Sequence, residues 1–143
     1  MVVMTTLNQM GMPLIRYRLG DLCAWTGRTC SCGCALPLIS APIGRSDEAL
    51  RFAGGLVMSP VRFSPALHRL EDIHRYRVIQ ESENLIRFLI VPFGPWPEDR
   101  SRALVKDLAA EVPQGVDVTV ELVDRIEDDG QKFKAFVSKV KGD

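Results

Sequence analysis

The sequence carries no net charge and contains no long apolar run. Lysine and arginine together number 18, as do aspartate and glutamate, so the formal net charge at pH 7 is zero. This balance argues against a nucleic-acid-binding surface and against a polybasic patch for membranes. No apolar stretch approaches the length of a membrane span, and the N-terminus lacks the pattern of a signal peptide. We therefore expect a cytoplasmic protein that binds neither nucleic acid nor membrane.

The usual catalytic signatures are also absent from the sequence. There is no nucleophile elbow, no glycine-rich phosphate loop and no pair of carboxylates at a catalytic spacing. The two histidines, His68 and His74, are six residues apart, which fits neither a metal site nor a catalytic triad. We interpret both as structural residues, and the sequence shows no complete catalytic centre.

What is present is typical of a small globular protein. The chain has 143 residues, of which 46% are hydrophobic and 25% charged. This length allows one domain, or one small domain with a fragment of another. Four cysteines in a cytoplasmic protein are better interpreted as thiols or metal ligands than as disulfides.

The cysteines lie close together, at Cys23, Cys30, Cys32 and Cys34. Thiolates on a glycine-containing turn commonly bind zinc, which prefers four ligands at tetrahedral angles. The last three cysteines are separated by single residues, a tighter spacing than the common zinc knuckle. A disulfide across so short a spacing would be strained. The spacing leaves two interpretations, a zinc site and a set of small packing residues.

Hydrophobic periodicity predicts an α+β protein. An N-terminal hairpin is followed by a small β-α-β-β-α-β domain with its helices on one face of the sheet. The hairpin strands cover 1–7 and about 13–26. The small domain has strands at 49–53, 76–80, 85–91 and 116–122, a helix from Ser59 or Ser64 to about Ile73, and a helix over 97–111.

Residues 12–21 (MPLIRYRLGD) are the most informative stretch. Apolar and charged residues alternate from Leu14 to Leu19, as in a half-buried strand. Gly20 then permits a tight turn, which leaves Asp21 as a carboxylate at the end of a rigid strand. Such a carboxylate is a good acceptor for paired hydroxyls, such as those of a ribose. The alternative is an edge strand with an aspartate in its closing turn.

Three segments, 2–7, 12–21 and 44–48, occur in an order and at a spacing that resemble an enzyme family. They resemble the phenylacetate–CoA ligase and coenzyme F390 synthetase branch of the adenylate-forming enzymes. Those enzymes have a large N-terminal domain and a small mobile C-terminal domain, and this chain corresponds to the last third. The resemblance implies that residues 1–45, with the cysteine loop, are a remnant of the large AMP-binding domain. Residues 46–143 would be the mobile cap.

The resemblance also implies roles for particular residues. Arg45 matches the arginine that reaches the nucleotide ribose, near Asp21, and Asp47 matches the hinge of the small domain. The alternative for 44–47 is a surface turn with an ion pair. Cys30 and Cys32 match a Cys-x-Cys-Gly motif whose metal site is completed by ligands from elsewhere, which Cys23 or Cys34 would replace here. The full enzyme would use ATP with Mg, form AMP, and take a small carboxylic acid and CoA as substrates.

The C-terminal lysine of the family is matched near residue 132. A Gly-Lys pair there supplies a mobile ammonium that stabilises charge on the carboxylate and α-phosphate oxygens during adenylation. In this sequence Gln131 separates Gly130 from Lys132, so Lys134 is an alternative. From the spacing alone, a solvated strand in which basic and apolar residues alternate is the favoured interpretation, and only the resemblance to the family reverses it.

Two functions follow. The first is the C-terminal portion of an AMP-forming aryl- or acyl-CoA ligase, inactive alone because it has no phosphate loop for ATP. The second is a non-catalytic remnant or interaction module, favoured by Ala53, where the family has arginine, and by the Gln131 insertion. In either case the N-terminal AMP-binding domain is the missing partner. Its absence would expose strands in residues 1–40, so we expect the chain to self-associate.

Overall fold

A computed structural model of the protein describes residues 1–127 and 133–140. The chain forms two compact units, Met1–Asp47 and Glu48–Asp143. Their identification as a large-domain remnant and a mobile cap stays a prediction. Within the described ranges, no helix is long and apolar enough to cross a membrane.

The first unit consists of short antiparallel pairs. β1 (Val3–Met4) pairs with β2 (Tyr17–Arg18). The predicted strand over 13–26 is interrupted, because Arg16 has a φ of 50°, in the left-handed region. Further along, the chain pairs again through an isolated bridge between Trp25 and Ile39. The predicted hairpin is therefore present, with much shorter strands than expected.

The first unit has no core of its own. None of residues 1–47 is buried, and several large apolar side chains are almost fully exposed, including Leu7 at 85% and Met10 at 90%. A segment that buries so little apolar surface gains little hydrophobic stabilisation.

The second unit is an α+β domain, as the sequence predicts. Its strands are β3 (Leu50–Arg51), β4 (Val57–Met58), β5 (Ile73–Ser82), β6 (Leu85–Pro92), β7 (Asp117–Leu122) and β8 (Phe136–Ser138), and its helices are α1 (Ser64–His68), α2 (Glu98–Ala109) and two 3₁₀-helices, Ala53–Gly55 and Pro60–Phe63. The central sheet has the order β7-β6-β5-β8. β5 and β6 are antiparallel, and each outer strand is parallel to its neighbour.

Two strands depart from the predicted arrangement. β3 was expected to belong to the small sheet, but it pairs with β4 in a separate two-stranded ribbon. β8 is an additional strand of the sheet, outside the predicted β-α-β-β-α-β order. It lies in the segment for which the spacing alone predicts a solvated strand, but it pairs with β5 instead of standing apart. The second unit is thus a four-stranded sheet with an attached ribbon.

The first predicted helix is also shorter than expected. α1 ends at His68, and Ile73 already begins β5. Leu70 N donates to Leu67 O at 3.3 Å, as in a tight turn rather than a continued α-helix. The apolar residues whose spacing predicts a helix to Ile73 therefore reach the core through a turn, without a continued helix. α2 agrees with its prediction to within two residues at its C-terminal end.

One face of the central sheet carries the core. Alternate residues of β5 and β6, among them Val78 and Phe88, pack with buried residues of both helices, including Leu67 and Leu108. The rings of Phe63 and Phe88 meet edge-to-face, with centroids 5.0 Å apart and planes at 85°. Such pairs add to the stabilisation that burial gives. Both helices therefore contribute to a single core.

Candidate functional site

Asp21 and Arg45 lie opposite each other in the first unit. They form an antiparallel bridge, so their backbone segments run side by side. Val2 N donates to Asp21 O at 2.8 Å, which joins a third segment to the pair. The structure therefore brings together the two residues that are predicted to contact a nucleotide.

Gly20 lies close to the side chain of Arg45. Its φ is 84°, and a Cβ at this position would lie 3.6 Å from Arg45 Nη2. That distance is an ordinary van der Waals contact, whereas the left-handed backbone conformation strongly favours glycine. Glycine is thus required at this turn mainly for the backbone path that leads into Asp21.

Asp47 lies beside Arg45. Arg45 Nε is 3.4 Å from Asp47 Oδ1, and the two side chains are 58% and 46% exposed. Exposed ion pairs of this kind contribute little to stability. The pair can therefore break and re-form at small free-energy cost, which is compatible with a hinge at Asp47. The hinge role itself stays a prediction.

Two of the four cysteines are in contact. The Sγ atoms of Cys30 and Cys32 are 2.9 Å apart. Gly33 N donates to Cys30 O at 3.1 Å and closes the turn that presents both thiols. The hydrogen bond with Cys30, followed by that with the Cys34 backbone, lowers the pKa of the Cys32 thiol from its ordinary value. The turn thus offers two adjacent sulfur ligands.

A complete zinc site is not formed by these residues. In residues 1–127 and 133–140, no group of three or more His, Cys, Asp or Glu side chains is placed to hold a metal ion. Cys23 lines a cleft of about 230 Å³ beside Met1 and Trp25, and Cys34 is exposed. Since structural zinc takes four ligands, the observed loop does not fit zinc. The expectation that Cys23 or Cys34 completes the site is not supported.

Of the two candidate lysines, Lys132 lies outside the described residues and Lys134 is exposed just before β8. Lys134 O accepts a hydrogen bond from Arg77 Nε at 3.1 Å. The neighbouring Phe133 ring lies 3.7 Å from the Arg75 guanidinium carbon. The segment that carries Lys134 is therefore attached to β5, and the choice between the lysines stays a prediction.

Sequence reasoning missed a cleft that contains both histidines. His68 and His74 line a depression of about 470 Å³ together with Glu71, Arg75 and other residues. Burial raises the pKa of the neighbouring Tyr76. The histidine spacing gave no signal, because their proximity depends on the turn between α1 and β5 that replaces the predicted helix.

A comparison with curated proteins agrees with the sequence resemblance. The chain is 30% identical over 86 residues to phenylacetate-coenzyme A ligase from Thermus thermophilus. The match covers 59% of this chain and 19% of that enzyme, so the chain spans about a fifth of the curated relative. No protein-family profile matches the chain.

Solved structures share the fold. A 2-hydroxyisobutyryl-CoA ligase in the postadenylation state, in complex with R3-HIB-AMP, aligns with a TM-score of 0.55 at 23% identity, covering 89% of this chain and 29% of that one. An open conformation of that ligase, in complex with 2-HIB-AMP and CoA, aligns with a TM-score of 0.51 at 20% identity, covering 90% and 29%. At these identities the alignments support the fold alone. The sequence match supports the resemblance of the chain to the C-terminal portion of the phenylacetate–CoA ligase branch of the adenylate-forming enzymes, and the solved structures support its fold.

Proposed function

We propose that the chain is the C-terminal portion of an AMP-forming ligase that activates an aryl or other small carboxylic acid. The complete enzyme converts the acid and ATP, with Mg, into an acyl-adenylate, and then transfers the acyl group to CoA as a thioester. The observation that carries this proposal is the bridge between Asp21 and Arg45. The sequence match to a phenylacetate-CoA ligase supports the reaction class.

Asp21 and Arg45 would hold the ribose of the nucleotide. The Asp21 carboxylate accepts hydrogen bonds from the ribose hydroxyls, and the Arg45 guanidinium donates to a ribose oxygen. Hydrogen bonds in which one partner is ionised are about twice as strong as hydrogen bonds between two neutral groups. The backbone around Asp21 is hydrogen-bonded to two other segments, which limits the positions that the Asp21 carboxylate can take and so supports this role.

Asp47 would be the hinge, and Lys132 or Lys134 would supply the mobile ammonium. Negative charge accumulates on the carboxylate and α-phosphate oxygens in the adenylation transition state, where a positioned ammonium stabilises it. The hinge would bring the lysine to the reaction centre in the adenylating pose and remove it in the thioester-forming pose. The weak, exposed pair between Arg45 and Asp47 supports this assignment.

The chain alone would be inactive and would depend on an N-terminal AMP-binding domain for the triphosphate of ATP. The exposed apolar residues of the first unit fit a surface that such a domain covers. In the absence of that domain, we propose that the surface recruits a second copy of the chain. Light scattering should then show a concentration-dependent dimer for the full chain and a monomer for residues 48–143. A full chain that remains monomeric at high micromolar concentration would contradict this.

The second candidate, a non-catalytic module, is favoured by residues that depart from the family. Ala53 replaces a family arginine at the start of the turn between β3 and β4. A module that had lost catalysis would tolerate such a change, and would also tolerate substitution of both lysines.

Separate half-reactions distinguish the two functions, in a protein that carries this chain after a large AMP-binding domain. Lys132→Ala should slow acyl-adenylate formation by about two to three orders of magnitude, because a donor aimed at developing charge is lost. Thioester formation from supplied acyl-adenylate should be largely spared. Asp47→Pro should give the opposite pattern. A defect in Lys134→Ala would identify the alternative lysine, and no defect in either variant would favour the non-catalytic module.

A further inference from the structure

We propose that Gln80 is a positioning residue that joins the strand after the predicted hinge to the strand after the predicted catalytic lysines. This inference rests on the proposed function. Gln80 lies on β5 and is completely buried, with a relative exposure of 0%. Burying an amide costs free energy unless its polar atoms are hydrogen-bonded. A glutamine at such a position therefore indicates a specific set of partners.

Gln80 bonds to two other strands through one side chain. Its Nε2 donates to Arg51 O at 2.6 Å, and Arg51 N donates to its Oε1 at 3.0 Å. This reciprocal pair resembles the exchange between two residues of an antiparallel ladder. The same Oε1 accepts a hydrogen bond from Ser138 Oγ at 2.8 Å. The amide thus links β5 to Arg51 of β3 and to Ser138 of β8.

These links matter because β3 has no ladder to the central sheet. β3 pairs only with β4 among the described strands. The Gln80 amide supplies hydrogen bonds that such a ladder would otherwise give, while Leu50 holds β3 through packing in the core. β8 has a short parallel ladder with β5, and Lys139 N adds a bond to Gln80 O at 3.0 Å. Gln80 is therefore the point at which both weakly paired strands are held.

The position of these strands in the sequence suggests the role. β3 begins three residues after Asp47, and β8 begins two residues after Lys134 and four after Lys132. A rotation at the hinge can place a lysine accurately only when both strands move as one body. Gln80 acts through these strands and is not itself a catalytic residue.

Hydrogen exchange on the full chain tests the link directly. Gln80→Met keeps the approximate size of the side chain and removes its hydrogen bonds. The amide of Arg51 loses its Oε1 acceptor and should then exchange about 10- to 100-fold faster. The amide of Lys139 keeps its backbone acceptor, but it should also exchange faster because the adjoining strand β8 loses the bond from Ser138 to the Gln80 amide. Ile86→Val is the matched control, because Ile86 lies directly opposite Gln80 and is equally buried. The link would be overturned if exchange rose equally across the sheet in both variants. It would also be overturned if exchange rose in neither variant.

A second measurement tests positioning, in a protein that carries the chain after a large AMP-binding domain. Gln80→Met should lower kcat for acyl-adenylate formation about tenfold or more and leave the KM for ATP unchanged, while Ile86→Val leaves both unchanged. Unaltered kcat in Gln80→Met, where Lys132→Ala or Lys134→Ala is defective, would overturn positioning. If neither lysine variant is defective, the proposed function fails, and hydrogen exchange still decides whether Gln80 joins the strands.

Discussion

The second unit should fold without the first. Every buried hydrophobic residue in the described ranges lies at Ala49 or later, and none of residues 1–47 is buried. Removing 1–47 leaves 96 residues of the 143. At about 0.05–0.15 kcal/mol per residue, a domain of this size has a free energy of unfolding of about 5–14 kcal/mol. Because no core residue is lost, truncation should change this value by less than about 1 kcal/mol.

Urea unfolding followed by tryptophan fluorescence measures the effect. Truncation removes Trp25, so Trp96 becomes the sole tryptophan of the two in the chain. Trp96 packs against the core and donates to Ser101 Oγ at 2.9 Å, so its fluorescence reports on the second unit. The matched control is the full chain with Trp25→Phe, since Trp25 is 74% exposed. A loss of more than about 3 kcal/mol, or a much smaller urea m value, would refute the reasoning.

Two further predictions concern the second unit. Phe63→Ala should lower the free energy of unfolding by about 3–5 kcal/mol, because a fully buried ring that packs on Phe88 is lost; a urea midpoint within error of wild type would contradict this. The hydrogen bond from Lys139, and to a smaller extent that from Arg87, lowers the pKa of Glu81 in the folded protein. That stabilisation is present above the unfolded-state pKa and is lost as pH falls through the folded-state pKa. Glu81→Gln should therefore flatten the loss of stability below about pH 4.5, measured by urea unfolding across that range, and an unchanged slope would count against the ion pair.

The elements that the sequence predicts best are those with local signals. The β5–β6 hairpin follows from alternating apolar residues on both sides of a short polar turn, and the two strands pair directly across it. α2 follows from helical apolar spacing after Pro97 and acidic residues in its first turn. In both elements, residues that give the pattern also form the core, such as Ile86 and Phe88 of β6 and Leu104 and Leu108 of α2.

The elements that the sequence predicts poorly depend on distant contacts. β8 is held by pairing with β5, about 60 residues earlier in the chain, and its three residues carry no distinctive pattern. The turn after α1 satisfies the same apolar spacing as a helix. Gln80 could not be recognised because its partners, Arg51 and Ser138, are 29 and 58 residues away.

The predicted site residues also differ in how well the sequence located them. Asp21 and Arg45 were found through motifs whose order and spacing resemble a family, and the structure brings them together. The zinc hypothesis rested on the spacing of the cysteines and on the match of Cys30 and Cys32 to a Cys-x-Cys-Gly motif. Spacing cannot show where a side chain lies, and Cys23 lies in a separate cleft.

The most direct test of the central claim is the KM for ATP of an Asp21→Asn variant, in a protein that carries this chain after a large AMP-binding domain. The variant removes the charge of the side chain that accepts hydrogen bonds from the ribose. We expect this to weaken ATP binding by roughly 1.4 kcal/mol and so to raise the KM about tenfold. Asp107→Asn, on the exposed side of α2, is the control and should leave the KM unchanged. If Asp21→Asn behaves like Asp107→Asn, Asp21 does not hold the nucleotide and the account is contradicted.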